Sequence, residues 1–361
     1  MRISAFPGRY VQGPGALGQL RREVGRHCRR AVAFIDEGIA DKLAGQIIGS
    51  SEDGALIELR PVKPKCTDKA IVAACEEIAA ASAEMVVGVG GGKTIDLARA
   101  AADRSCLRFV SVPTVAATDA PTSALSVIYR EDGSYDRVMF ARSNPVLVLV
   151  DSQVIADAPA RLFAAGIGDA LSTWFEAESC RLSGAVNCLQ GQGASVSQVI
   201  ARRAWDVLRE HATQAYRDCS AHRVTPAFEE VLEANVLLSG LGFENCGVAG
   251  AHGLHDALTI LPQTGAYLHG EKVAFGVQCL MFLRAHPQDE INDVFRLCHA
   301  VGLPTTLRGI GIDWQDSAAI DQVARAAAAP GNLCANEPGK PTAREIAVAI
   351  RAADAFGRQL H

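Results

Sequence analysis

Three of the nine histidines lie close together in the chain, and imidazole is a common metal ligand in proteins. His252 and His255 occur in GVAGAHGLHDAL, where a separation of three residues places both side chains on one face of a helix. His269 follows in AYLHGEK, after a short loop that contains Pro262 and Gly265. The other six histidines are scattered, and we interpret them as surface or ordinary core residues.

An acid upstream of these histidines completes a possible ligand set. Asp169 lies between small residues in GIGDALSTWFEAESC, where the pattern predicts the start of a helix. Two imidazoles and one carboxylate suit zinc, and three protein ligands leave a fourth position open for catalysis. A structural interpretation also stands: a clustered histidine pair is often structural, and an acid near a helix N-terminus is favoured by the helix dipole. Spacing alone leaves open whether positions 169, 252 and 269 meet.

A second candidate site is the glycine-rich stretch EMVVGVGGGKTIDLARAAA, residues 84–102. It predicts a buried strand, a glycine turn and a helix that begins near Thr94. The N-terminus of a helix favours anions because its first amides lack partners within the helix, and Lys93 adds a positive charge there. The spacing matches neither G-x-G-x-x-G nor G-x-x-x-x-G-K-T. A tight turn without a ligand is therefore the alternative interpretation.

The elements around these motifs change character along the chain. AVAFID (31–36), RFVSVPT (108–114) and PVLVLVD (145–151) are predicted strands, and SVIYREDGSYDRVMF (126–140) predicts a hairpin. Predicted helices alternate with these strands, which favours a parallel sheet covered by helices. After Pro159 helical periodicity dominates. The sequence therefore predicts an α/β domain over 1–160 and an all-helical domain over 161–361, with ligands beyond the carboxyl ends of the strands.

Composition excludes several classes of protein. Hydrophobic residues make up 49% of the 361 residues and charged residues 21%, as in ordinary globular proteins. A net charge of −5 without a basic run argues against a nucleic-acid surface. The first residues lack the apolar region of a signal peptide, and we find no apolar run of membrane-spanning length. Eleven scattered cysteines without C-x-x-C indicate reduced thiols, so a cytoplasmic location is expected.

Five motifs occur together and in order: GVGGGKTIDLARA, PTVAATDAPTSALSVIY, AGIGDALSTWFEAESC, SGLGFENCGVAGAHGLH and LHGEKVAFG. They resemble the glycerol dehydrogenases, zinc-dependent members of the iron-containing alcohol dehydrogenase superfamily. The resemblance runs from PGRYVQG to AVGLPTTL near residue 305 and is weakest in the last fifty or so residues. It implies a Rossmann-like N-terminal domain and an all-α C-terminal domain, the dehydroquinate synthase-like fold, with NAD in the cleft. It also implies a homo-oligomer, which is an octamer in that family.

The resemblance assigns roles to particular residues. Asp169, His252 and His269 would hold zinc, and His255 would orient the substrate or a ligand. Asp119 would contact the hydroxyls of glycerol, with a turn before Pro121 as the structural alternative.

The implied cofactor is NAD. Gly92 and Lys93 would meet its pyrophosphate, and Asp36 would bind the adenosine ribose, where a carboxylate favours NAD over NADP. The nicotinamide side would be lined by Thr114, Ser123, Leu125 and Tyr129. The remaining implied cofactor residues are Gly90, Gly91, Thr94, Asp96 and Thr118.

Three departures from the family pattern stand out. Ala117 replaces a usual serine near the cofactor, and TGAYLH lacks extra histidines before His269. Thr173 stands where the iron-dependent relatives usually carry a histidine, which favours zinc over iron.

The implied reaction is oxidation of glycerol or a similar vicinal diol by NAD, in which zinc activates the hydroxyl and water or His255 takes the proton. The alternatives are a lyase that resembles dehydroquinate synthase, a relative of glycerol-phosphate dehydrogenase, and a non-catalytic regulator that binds NAD or metal. The first two would handle phosphate and need a cluster of basic residues.

Overall fold

The computed structural model describes residues 1–49 and 54–360 of the chain. Its strands are β1 (Tyr10–Gly13), β2 (Arg30–Asp36), β3 (Leu56–Val62), β4 (Met85–Gly90), β5 (Arg108–Pro113), β6 (Leu125–Tyr129), β7 (Tyr135–Phe140) and β8 (Leu147–Asp151). Its helices are α1 (Leu20–Gly25), α2 (Ala40–Ile48), α3 (Asp68–Ala80), α4 (Gly92–Arg104), α5 (Ser152–Ala156), α6 (Ala160–Ser183), α7 (Ser195–Ser220), α8 (Pro226–Glu233), α9 (Ser239–Cys246), α10 (Gly250–Leu258), α11 (His269–Leu283), α12 (Gln288–Ala300), α13 (Ser317–Ala327) and α14 (Ala343–Gly357).

The chain divides into two compact units. We call Phe6–Pro159 together with Ala221–Val224 the α/β unit. Met1–Ala5, Ala160–Ser220 and Thr225–His361 form the helical unit. The contiguous ranges predicted from the sequence, 1–160 and 161–361, do not separate out Met1–Ala5 and Ala221–Val224.

The α/β unit contains a six-stranded sheet in the order β1-β8-β5-β4-β2-β3. Every neighbouring pair in this sheet is parallel. A separate antiparallel ribbon joins β6 to β7. The parallel sheet and the helices of the second unit confirm the predicted fold class, a Rossmann-like α/β part followed by an all-α part.

Side chains of the central strands fill cores on both faces of the sheet. In β2, Ala33 and Ile35 contribute to one buried cluster, whereas Val32 and Phe34 contribute to the other. This alternation follows from the two-residue period of a strand. Both faces are therefore covered, and the strands read as continuous apolar runs, which made β2, β4, β5 and β8 predictable.

The chain reverses its direction across the sheet between β2 and β4. From β2 it adds β3 on one side, and it then returns to add β4 on the other side of β2. Asp36 ends β2 and Gly90 ends β4. Ligands of open α/β sheets bind beyond the carboxyl ends of strands at such a switch point. The sequence motifs at 36 and 88–94 therefore lie where this topology favours a ligand.

Most predicted elements are present, and the differences are elements that sequence reasoning missed. The hairpin at 126–140 is confirmed as β6 and β7, and Thr67 caps α3 by accepting a hydrogen bond from the Ala70 amide at 3.2 Å. Sequence reasoning missed β3, because Glu58, Arg60 and Pro61 interrupt its apolar pattern, and it also missed the short elements β1 and α2. Within the described ranges, no helix is both long and apolar enough to cross a membrane.

Candidate metal centre and nucleotide-binding turn

Helix α6 presents Asp169 from its interior. The helix begins at Ala160, so Asp169 does not lie at a helix start as the sequence pattern predicted. The dipole of α6 therefore offers no explanation for this acid, because that effect is confined to the first turn. Asp169 is fully buried. Burial of an ionised carboxylate is costly unless charged or polar groups surround it.

Two glycines allow α6 and α11 to approach closely at this point. A Cβ atom added to Gly168 would lie 2.4 Å from the carbonyl oxygen of Gly270. A Cβ atom added to Gly270 would lie 1.8 Å from the carbonyl oxygen of Ala165. Each glycine is the direct neighbour of a candidate ligand, Asp169 or His269. The close crossing of the two helices is therefore what brings those two side chains together.

Helix α10 supplies the third ligand candidate. Nε2 of His252 lies 3.6 Å from Oδ1 of Asp169, and Nε2 of His269 lies 3.1 Å from the same oxygen. One donor atom from each of Asp169, His252 and His269 lies within 4.8 Å of the other two. The structure thus brings positions 169, 252 and 269 together, which spacing in the sequence left open.

A buried acid that sequence reasoning missed supports His252. Oε2 of Glu176 lies 2.7 Å from Nδ1 of His252. Oε1 of the same carboxylate accepts the backbone amides of Ala249 and His252, both at 2.9 Å. Glu176 follows Asp169 on α6 after two helical turns, so both acids point to the same side. That spacing was visible in the motif, but its partner is distant in the chain.

His255 contacts His269 and not Asp169. Nε2 of His255 lies 3.0 Å from Nδ1 of His269, and Nδ1 of His255 lies 3.0 Å from Oδ1 of Asp256. Both ring nitrogens of His255 are therefore engaged by protein groups. Asp256, which sequence reasoning did not single out, completes the chain of contacts from Asp256 through His255 to His269.

The charges in this cluster shift its ionisation. Burial alone would raise the pKa of Asp169, but His269 and His252 hold it well below its ordinary value. Burial alone would lower the pKa of His252, whereas Glu176 and Asp169 raise it well above its ordinary value. Burial and the neighbouring His269 lower the pKa of His255 to about 3. His255 is therefore a weak base near neutral pH.

The donor set fits a divalent metal ion. Two imidazoles and a carboxylate converge, and the far nitrogen of each imidazole has a hydrogen-bonding partner, which fixes its tautomer and orientation. Thr173, which the resemblance placed where iron-dependent relatives carry a histidine, is packed against α9. Its Oγ1 lies 2.9 Å from Oγ of Ser239, and a Cβ atom on Gly242 would lie 2.2 Å from its methyl group.

In the α/β unit, the predicted nucleotide-binding turn joins β4 to α4. The helix begins at Gly92 with Gly91 as its N-cap, two residues before the predicted start at Thr94. A Cβ atom on Gly90 would lie 2.8 Å from Cβ of Thr94. A side chain at position 90 would therefore displace the first turn of the helix. Lys93 extends over the ring of Tyr129, with Nζ 5.2 Å from its centroid.

The loop between β5 and β6 lies against this turn. The amide of Thr114 donates to the carbonyl oxygen of Gly90 at 3.1 Å. A Cβ atom on Gly92 would lie 3.5 Å from Oγ1 of Thr118. Asp119 is 9% exposed, and Ser123 is fully buried. Five predicted residues therefore lie in this loop or at the start of β6, close to Gly90–Lys93: Thr114, Thr118, Asp119, Ser123 and Leu125. Ala117, which departs from the family pattern, lies in the same loop.

Asp36 and Asp96, two of the predicted cofactor residues, have different surroundings. Asp36 ends β2 beside β4, and its Oδ1 accepts the amide of Gly38 at 2.9 Å. Asp96 differs from the expectation. Its side chain is buried, Oδ1 accepts Arg99 at 2.9 Å, and Oδ2 accepts the amide of Val127 at 3.1 Å. We therefore assign the Asp96 carboxylate to holding the protein rather than the cofactor.

Comparison with known proteins places the chain in a family. Residues 7–152 match the family model described as iron-containing alcohol dehydrogenase. A glycerol dehydrogenase from Thermotoga maritima is 43% identical over 98% of this chain and 97% of that protein. A glycerol dehydrogenase from Escherichia coli is 39% identical over 99% of this chain and 98% of its own. The crystal structure of a probable glycerol dehydrogenase from Sinorhizobium meliloti has a TM-score of 0.92 and 41% identity, with complete coverage of both chains. The chain belongs to the glycerol dehydrogenase family of iron-containing alcohol dehydrogenases.

Proposed function

We propose that this protein is an enzyme that oxidises glycerol and related vicinal diols, with NAD as the hydride acceptor and zinc as the metal. The observation that carries the proposal is the convergence of Asp169, His252 and His269 within 4.8 Å. The Thermotoga maritima relative, 43% identical to this chain, bears the name glycerol dehydrogenase and supports the same substrate.

Asp169, His252 and His269 are proposed to hold the metal. A bound zinc ion would supply Lewis acidity and make a substrate hydroxyl easier to deprotonate near neutral pH. The protein's part is to hold the ligands. Glu176 directs Nε2 of His252 toward Asp169 by binding its other nitrogen. His255 does the same for His269. A depressed pKa and two engaged nitrogens favour His255 as a positioning residue rather than a proton acceptor.

The α/β unit is proposed to bind NAD, the cofactor that accepts the hydride. Gly92, Lys93 and the other turn residues would receive the pyrophosphate at the N-terminus of α4. Asp36, at the end of β2, would accept hydrogen bonds from the ribose hydroxyls, and its negative charge would repel a 2′-phosphate. The other proposed cofactor contacts are Gly90, Gly91, Thr94, Thr114, Thr118, Ser123, Leu125 and Tyr129.

Asp119 is proposed to select diols. Its carboxylate would accept a hydrogen bond from a second hydroxyl of the substrate. A simple alcohol would lack this hydrogen bond to a charged acceptor, and such a loss costs about 1.5–3 kcal/mol. The preference for glycerol over ethanol would then reside in this loop of the α/β unit.

The rival proposals have less support. A dehydroquinate synthase-like lyase or a glycerol-phosphate dehydrogenase must bind phosphate with basic side chains. Lys272, the basic residue closest to His269 in the chain, is buried, and burial lowers its pKa. A cytoplasmic location and a homo-oligomeric assembly, octameric in the family, stay predictions.

A spectrophotometric assay tests the proposal. NADH formation should follow the addition of glycerol or 1,2-propanediol and be much slower with ethanol. A chelator should abolish it, added zinc should restore it, and NADP should replace NAD poorly. If chelator-treated protein is shown to be free of metal and still reduces NAD at the rate of untreated protein, the metal-dependent reaction is refuted. NAD binding without turnover of any diol would instead favour a regulator.

A further inference from the structure

Arg99 lies beneath the proposed nucleotide-binding turn, on α4, and is only 1% exposed. Its Nη1 atom donates to Oδ1 of Asp96, one turn earlier on the same helix, at 2.9 Å. The guanidinium also lies over the ring of Phe109, with Cζ 5.4 Å from the centroid. A buried ion pair gives little net stability compared with apolar residues of the same volume. The role of Arg99 is therefore sought in its other contacts.

Those contacts run from α4 to the loop that precedes β6. Arg99 donates to the carbonyl oxygens of Ala120 and Leu125. Nη1 of Arg99 also lies 3.4 Å from Oγ of Ser126. One side chain therefore holds the loop at two carbonyls, the first of which belongs to the residue after Asp119.

Asp96 holds the next part of the chain. Its Oδ2 accepts the amide of Val127 at 3.1 Å, and its backbone carbonyl accepts the hydroxyl of Ser126 at 3.2 Å. Both members of the ion pair thus fasten the region from Ala120 to Val127 to α4. The helix whose first residues are the proposed pyrophosphate contacts also fixes the loop that carries the proposed nicotinamide and diol contacts.

We propose that Arg99, paired with Asp96, is a positioning residue that sets the loop from Thr114 to Leu125 against the nucleotide-binding turn. The inference rests on the proposed function, because it concerns the nicotinamide half of the NAD site. Arg99 itself is not proposed as a contact of cofactor or substrate. It acts through the backbone of Ala120 and Leu125, which determines where Thr118, Asp119 and Ser123 lie.

The chemistry of the contact requires arginine. The guanidinium is planar and offers five donors in a fixed arrangement, so it can reach an acid and two carbonyls at once. Lysine has the same charge but a single compact donor group. The substitution Arg99→Lys should therefore keep the buried charge and the pair with Asp96 while releasing at least one loop carbonyl.

The test compares two ligands of the same site in the full-length protein. ADP-ribose contains the adenosine and the pyrophosphate but lacks the nicotinamide, whereas NADH contains all three. Arg99→Lys should weaken NADH binding about tenfold, as expected for lost hydrogen bonds to a charged group, and leave the affinity for ADP-ribose within about twofold. Binding is measured by titration calorimetry, so the result does not depend on turnover.

Arg104→Lys is the matched control, because Arg104 is exposed in the last turn of the same helix. It should bind both ligands like the wild type. Equal weakening of NADH and ADP-ribose by Arg99→Lys would mean a general structural role and overturn the inference, as would unchanged affinity for both. A wild type that binds neither ligand would instead refute the proposed function.

A second variant covers the possibility that Arg99→Lys does not fold. The double substitution Asp96→Asn/Arg99→Gln removes both buried charges together and avoids an unpaired ion, which is the costly outcome. The same selective loss of NADH affinity is expected. Retention of wild-type NADH affinity in the folded double variant would overturn the positioning role.

Discussion

Oε2 of Glu176 lies 2.7 Å from Nδ1 of His252, and the carboxylate is 1% exposed. The other oxygen of Glu176 binds two backbone amides at the start of α10. One acid therefore fixes the position of the helix and the orientation of the imidazole that it carries. Nδ1 of His252 donates to Glu176 in this arrangement, so Nε2 faces Asp169 and is the nitrogen that a metal ion would bind in place of its proton.

The first prediction concerns this acid. Glu176→Gln should lower the affinity for zinc about 10–100-fold, because the glutamine keeps the shape but loses the charge that orients and polarises His252. Affinity is measured by competition with a chromophoric chelator. Glu178→Gln, at a half-buried position on the same helix, is the control and should bind zinc like the wild type. Unchanged affinity in the Glu176 variant would refute its role.

A second prediction concerns the crossing of α6 and α11. Gly270→Ala should lower the free energy of unfolding by about 3 kcal/mol or more, or prevent folding, because the new methyl group would meet the carbonyl of Ala165. Gly45→Ala is the control: Gly45 lies in α2 with open space around its Cβ position. It should raise the free energy of unfolding by about 0.5–1 kcal/mol. Urea denaturation measures both, and equal stability of Gly270→Ala and the wild type would show that the helices can separate freely.

The sequence predicted the types of the metal ligands and the helix faces that carry them, but not the crossing of helices that brings them together. Ligand types and helix faces were readable, since His252 and His255 share a face by spacing alone. The convergence with Asp169 was not readable, because it depends on the crossing of α6 and α11 at Gly168 and Gly270. Glycine pairs that permit such a crossing look the same in sequence as glycines in turns.

A third prediction concerns substrate choice. Asp119→Ala should lower kcat/KM for glycerol about tenfold or more and change kcat/KM for ethanol little, because only the diol has a hydroxyl for this acceptor. The ratio of the two constants is the measurement. An equal loss for both alcohols would assign Asp119 to loop structure, which is the alternative interpretation of an acid before Pro121.

A fourth prediction follows from the ionisation of Asp96. Burial raises the pKa of Asp96 to about 6, in spite of Arg99 and the amide of Val127, from a value of 3.8 in the unfolded chain. Between these two values the folded protein binds more protons than the unfolded chain. The contribution of Asp96 to the free energy of unfolding must therefore fall as the pH rises through this window. Cys66 and Tyr129, which also interact with this acid, do not titrate there, because burial raises both pKa values.

The substitution Asp96→Asn removes that titration. The difference in free energy of unfolding, wild type minus variant, should fall by about 2 kcal/mol from pH 4 to pH 6 and level off only above about pH 7. Urea denaturation at a series of pH values gives this difference. A difference that is constant or rises over the window would contradict the assignment of a raised pKa to Asp96.

Asp96 also illustrates what sequence reasoning could not resolve in the α/β unit. The turn, the strand β4 and the helix α4 were predictable from the apolar run and the glycines. The direction of each polar side chain was not, since Asp96 and Lys93 lie in the same first turns, yet one turns inward to Arg99 and the other extends over Tyr129. Only the position of the loop after β5, which is set by tertiary contacts, distinguishes them.

The metal content of the protein, measured beside its glycerol-dependent reduction of NAD, tests the proposed metal site most directly. Elemental analysis of the purified wild type should find one zinc ion per chain, and Asp169→Asn should lose both the ion and the activity while keeping a cooperative unfolding transition. An Asp169→Asn protein that retains stoichiometric zinc and full activity would contradict the assignment of Asp169, His252 and His269 as the metal site.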